Sequence, residues 1–179
     1  FSQGVDVVEP SWRIWDHFLA DEWSVALAAD SLLSASPLSM NEDDVESDDE
    51  IDSRFSRISY SKGAAVLRML QHHLESISPG SFLNGMRAYV RANRYRNSNS
   101  REFFSELSRA SNNSPVGQFM SSWTFLPGYP ELSIGRDPSS NALVITQSRF
   151  VLDDVTGVSR RTAPSAGGVR STTITSRIG

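Results

Sequence analysis

The segment Ile58-Ser59-Tyr60-Ser61-Lys62-Gly63-Ala64-Ala65-Val66-Leu67-Arg68-Met69-Leu70 constrains this chain more than any other. Its apolar residues Val66, Leu67, Met69 and Leu70 continue into Leu74 and Ile77 at three- and four-residue intervals. That is the stripe of a helix burying one face, so a helix is predicted over residues 59–76, ended by Pro79-Gly80. Gly63, Ala64 and Ala65 leave its first turn small enough for another backbone to approach closely. A tyrosine at the mouth of such a helix carries its hydroxyl into whatever cleft lies beside it.

The same period runs through residues 10–33, where Trp12, Trp15, Phe18, Leu19, Trp23, Ala26, Leu27 and Leu33 form one stripe and Pro10 suits a first turn. After Pro37 the stretch from Glu42 to Asp52 is densely acidic and poor in apolar residues, and reads as a solvated loop. It lacks the glycine and spacing of an EF-hand calcium loop. A further helix uses Phe82, Leu83, Met86, Tyr89 and Val90 and frays in the polar 94–100 stretch. Asn99 with Glu102 predicts a capping box for the next, which carries Phe103, Phe104, Leu107 and Ala110. Val116, Phe119, Met120 and Trp123 mark a short last helix. The period then drops to two, with Leu132 and Ile134, a turn over residues 137–141, and Leu143 and Ile145, which predicts a hairpin after a Pro127-Gly128-Tyr129-Pro130 hinge. Residues 155–179 lose periodicity and read as a flexible or divergent tail.

Composition removes several classes. Nowhere do the apolar stretches reach the ~20 residues a membrane helix needs. Every basic residue except Lys62 is a thinly spread arginine, and no basic stripe with interleaved aromatics is present, which argues against nucleic acid as a partner. With no cysteine, disulfides and thiolate metal sites are excluded within these residues. Of the three histidines, His17 has no partner at ligand spacing, and His72 and His73 are adjacent, so they diverge around a helix and cannot form an i, i+4 zinc pair. No metal site is expected in this chain. Lys62 is read as structural, either a helix-face charge or a brace bonded to a carboxylate.

Phe55 followed by Ile58-Ser59-Tyr60, Lys62, Gly63 and Ala64 closely resembles the segment bearing the catalytic tyrosine of the M1 family of zinc aminopeptidases. Residues 26–32 with Ser36-Pro37-Leu38, then Tyr95-Arg96-Asn97, Trp123 and Gly128-Tyr129-Pro130, are similar to later family segments in the same order. The resemblance covers roughly residues 10–150. It departs at Ser36-Pro37, where members commonly carry His-Pro, and after Phe150, where the familiar strand continuation is missing.

What the resemblance implies is a mainly α chain: the helical C-terminal half of a thermolysin-like catalytic domain over residues 1–126, and the first strands of a β-sandwich domain over residues 127–154. It implies that the whole protein is a zinc-dependent enzyme that hydrolyses N-terminal residues from peptides. Tyr60 would donate a hydrogen bond to the tetrahedral oxyanion, a role suited to a phenol, which stays a donor at neutral pH. Phe55 would line the pocket for the first substrate side chain. The zinc ligands are expected upstream of this chain, which alone is expected to be inactive. Family members are cytoplasmic or membrane-anchored ectoenzymes, and any membrane association would not run through this segment. The alternative reading is a non-catalytic helical scaffold or protein-binding module that has lost the zinc site.

Overall fold

The computed structural model describes residues 1–40, 47–139, 141–152 and 172–176. Eight α-helices lead into a small antiparallel sheet among these residues, in agreement with the mainly α reading.

The long N-terminal helix expected over residues 10–33 is broken. Helix α1 spans Ser2–Val8, a 3₁₀ turn spans Pro10–Trp12, α2 spans Ile14–His17, a π-helical turn spans Phe18–Trp23, and α3 spans Ser24–Asp30. The break lies at Arg13, whose φ of 49° is left-handed and cannot belong to a continuous helix. A stripe of apolar residues reports which side is buried, not whether the backbone is continuous. Residues 41–46 of the acidic stretch lie outside the described residues. Its end is helical rather than looped, because α4 spans Asp48–Ser53 behind an extended Ser47, and Asp48 and Asp49 lie in the first turn, where the helix dipole favours negative charge.

Helix α5 spans Gly63–Ile77, and α6, α7 and α8 span Ser81–Ala92, Ser100–Ala110 and Val116–Phe125. Val66, Leu70 and Leu74 form one stripe of α5 that meets Leu107 of α7 and Val116 and Met120 of α8, all buried. Phe82, Met86, Phe103, Phe104, Phe119 and Trp123 close around this core. Leu67 and Ile77, expected to face inward, are exposed, since they stand off the i, i+4, i+8 line that the core uses. Ser78 takes an extended backbone that ends α5, and the Glu75 carboxylate then accepts from the amides of Gly80 and Phe82 at 2.5 and 3.2 Å, covering the start of α6. The capping box of α7 forms as expected: Glu102 N donates to Asn99 Oδ1 at 3.0 Å and Asn99 N to Glu102 Oε2 at 3.4 Å.

Close backbone approach occurs at a different glycine from the one expected. A Cβ on Gly63 would meet only a Leu38 methyl at 3.6 Å, whereas one on Gly85 would lie 2.9 Å from the Leu107 Cα. The tight helix crossing is therefore α6 on α7.

Strands β1 (Pro130–Arg136) and β2 (Leu143–Arg149) form the expected hairpin, with Ile134 opposite Ile145. Asn141 turns the chain with a left-handed φ of 56°. Of the expected tail, only residues 172–176 are described, and they are a third strand, β3 (Thr172–Ser176), antiparallel to β2. Their run of β-branched residues, Thr172-Thr173-Ile174-Thr175, is the local signal for a strand. No helix among the described residues is long and apolar enough to cross a membrane.

Candidate functional site

The chain enters α5 through a single π-helical turn, Ile58–Lys62, which contains Tyr60. Such turns are rare and occur frequently at functional sites. The Ser56 hydroxyl accepts from Ser59 N at 3.4 Å and its carbonyl from Tyr60 N at 3.1 Å. The Ser59 hydroxyl turns back to the Arg54 carbonyl. Ile58, Ser61 and Lys62 point into the protein, while Tyr60 between them is 63% exposed. Phe55 is 72% exposed. The two rings make no contact with each other among the described residues, and neither is enclosed by them.

The tightest polar cluster lies directly behind Tyr60. Lys62 Nζ stands 2.9 Å from Asp30 Oδ2, and both side chains are 4% exposed. The ammonium also donates to the Leu126 carbonyl at 3.2 Å. The second oxygen of Asp30 accepts from the Gly128 amide at 2.7 Å. Of the two readings open for Lys62, the brace through a carboxylate is the one that forms. A buried ion pair holds only with good geometry and with its remaining polar groups bonded, and both conditions are met here.

Asp30 was not separable from its neighbours by sequence, because its partner lies far along the chain. It ends α3 just before Ser31 and Leu32, and all three contact the sheet segment. Leu152 N donates to the Ser31 carbonyl at 2.9 Å and Arg149 Nη2 to the Leu32 carbonyl at 2.9 Å. Gly128 has a left-handed φ of 88°, which favours glycine at the hinge, and a Cβ there would also push the Arg149 side chain aside. Tyr129 stacks on Phe150 with ring centroids 5.1 Å apart. Burial, and after it the Asp30 carboxylate, pushes the Tyr129 phenol above its ordinary value.

A second surface runs along the other side of α5. Trp15, Phe18, Leu19 and Trp23 line a groove of about 520 Å³ with Arg68, Met69 and His72. The Arg68 guanidinium lies 3.5 Å over the Trp15 ring. Burial lowers its pKa, and the Asp6 carboxylate raises it in the opposite sense.

The histidines do not fit a zinc site. His17 Nδ1 is 3.8 Å from exposed Asp21, His73 stacks on Phe119 at 4.8 Å, and His72 lies at the groove. No group of three or more metal-ligating side chains converges among the described residues. What the arrangement does offer chemically is one exposed phenol on a turn whose neighbours are locked.

Comparison with known proteins follows the same segment. The family described as "Peptidase family M1 domain" matches residues 1–123. Aminopeptidase A of Gloydius brevicauda is 37% identical over 150 residues, 84% of this chain and 14% of that protein. Glutamyl aminopeptidase of Homo sapiens is 35% identical over the same share of each. Tricorn protease-interacting factor F2 of Thermoplasma volcanium is 32% identical over 153 residues, 86% of this chain and 18% of that protein. The chain thus spans less than a fifth of the length of these relatives.

Proposed function

This chain belongs to peptidase family M1, and on that premise we propose that the whole protein is a metallo-aminopeptidase that removes N-terminal residues from peptides. Tyr60 donates its hydroxyl hydrogen bond to the oxyanion that develops on the scissile carbonyl, and Phe55 lines the pocket for the first side chain. Because the histidines of this chain do not fit zinc, the ion that the family resemblance implies is held by residues outside it. Residues 1–126 are the helical part of the catalytic domain and residues 127–154 the start of a β domain. Support for that division comes from the family match, which ends at residue 123, and from the glycine-dependent hinge at Gly128.

The observation that carries the Tyr60 assignment is its 63% exposure on a turn whose flanking side chains, Ile58, Ser61 and Lys62, are buried. The turn fixes where the phenol leaves the backbone, and donors aimed at the place where charge appears on the substrate are the ones that act most strongly. A phenol also binds substrate and transition state differently, because the carbonyl oxygen becomes a strong acceptor only as it gains charge.

The test is Tyr60→Phe in the whole protein, assayed with aminoacyl anilides. Glutamyl anilide is the first to try, given the name that several relatives carry, with leucyl and alanyl anilides beside it. Loss of one oxyanion donor lowers kcat by about 10²–10³-fold, with KM and melting temperature unchanged. A Tyr60→Phe protein with wild-type kcat would remove the hydroxyl from the mechanism.

A further inference from the structure

Local bonds at Arg54, Ser56 and Ser59 start the Tyr60 turn, and a longer-range tie meets it at its other end. The turn is π-helical, only 5 residues long, and carries no side-chain cap of its own. Its position is set from behind, by the buried ammonium of Lys62 at the end of the same turn. That ammonium is the chain's only lysine. It meets one carboxylate oxygen and one carbonyl, a geometry that suits a compact point charge better than the planar fork of arginine.

Asp30 faces in two directions. One oxygen takes the Lys62 ammonium and the other the Gly128 amide, so the carboxylate ties the Tyr60 turn to the head of the sheet. Lys62 spans the same gap by its bond to the Leu126 carbonyl. Displacing either the turn or the hinge breaks at least one of these bonds in a site with no water-exposed alternative.

We propose that Lys62 and Asp30 are positioning residues, whose buried pair fixes the Tyr60 turn against the Leu126–Gly128 hinge and so sets where the phenol meets the substrate. The proposal rests on the reading of Tyr60 given above. Neither side chain touches substrate; both act through the turn.

A double-mutant cycle in the whole protein tests it, combining Lys62→Met with Tyr60→Phe and reading kcat, KM and amide hydrogen exchange of residues 59–63 and 126–128. A misplacement of about 1 Å costs on the order of 10²-fold in rate. Lys62→Met is therefore expected to lower kcat by about 10–10²-fold with KM little changed, and to speed exchange in both segments. In the Tyr60→Phe background the same substitution is expected to cost less than about twofold, the signature of two residues acting as a unit. Lys62→Met paired with Asp30→Asn leaves no uncompensated buried charge. That variant keeps the folded state accessible and is expected to reproduce the loss of kcat.

A merely structural brace gives a different result. Lys62→Met would then cost the same factor with and without the Tyr60 hydroxyl, and that outcome overturns the proposal, as does wild-type exchange in both segments. Wild-type kcat in Tyr60→Phe alone overturns the reading of Tyr60 instead. The exchange data then still decide whether the pair holds the turn.

Discussion

From Val66 onward, α5 presents Val66, Leu70 and Leu74 to Leu107, Val116 and Met120, a contact surface made wholly of hydrocarbon and sulfur. At its other end, the turn that leads into it is bonded through the buried Lys62 ammonium and Asp30 carboxylate to the Leu126 carbonyl and the Gly128 amide. Apolar packing is non-directional: it fixes that the helix is buried, and tolerates small shifts at modest cost. Hydrogen bonds weaken steeply with angle, so a polar cluster fixes where a backbone lies. On the proposed reading of Tyr60, the end of α5 that presents a group to substrate is the end held by directional bonds.

Leu70→Ala is the strongest lever on the apolar side. Leu70 is fully buried, and such truncations cost about 2–5 kcal/mol of stability. Denaturant unfolding of the whole protein should show that loss, while kcat per folded molecule stays at the wild-type value. A fall in kcat of the folded fraction would break the comparison, since the core would then be setting the Tyr60 turn as well. Gly128→Ala is next. It forces a left-handed φ on an alanine and drives its Cβ toward Arg149, at a cost of about 1–3 kcal/mol. Unlike Leu70→Ala it is expected to lower kcat too, because the Gly128 amide is a partner of Asp30. Stability lost with kcat intact would show that the hinge is not felt at the turn. Asn99→Ala is the smallest and serves as the control: losing the α7 cap costs about 1 kcal/mol, and thermal unfolding should register it with kinetics untouched.

What the sequence made legible follows the range over which each signal acts. The α7 capping box needs only Asn99 and Glu102, and both bonds formed. The hairpin needs an alternation and a turn, and its register matches. The stripe over residues 10–33 was read as one buried helix and is neither: the left-handed Arg13 interrupts it, and only Ala26 of the stripe is buried while Trp12, Leu19, Leu27 and Leu33 are exposed. Gly63 and Gly85 look alike in sequence, and only the path of α7 shows that Gly85 is the one with no room for a side chain. Strand β3 was missed because a four-residue β-branched run carries little weight amid Ser, Thr and Gly. At the site, Tyr60 and Phe55 were singled out because their neighbours form a local motif. Asp30 was not, for its meaning depends on Lys62 and Gly128, neither of which is near it in sequence.

The distances spanned by the cluster at Asp30 also bear on the order in which the molecule is assembled. The core joins α5 to α7 and α8 across the intervening α6, and Asp30 reaches Lys62 over no longer a stretch of chain. Asp30 meets Gly128 across 98 residues and Leu32 meets Arg149 across 117. Closing a long loop carries a larger entropic cost and is slower than closing short ones. As the chain leaves the ribosome, Asp30 has Lys62 before α7 and α8 are made, but Gly128 and the strand that follows it only after them. The tie from the Tyr60 turn to the hinge is thus a late event in folding: it waits for the hinge and the first strands to be synthesised and docked, and a chain halted before them holds a core whose link to the sheet is still unmade.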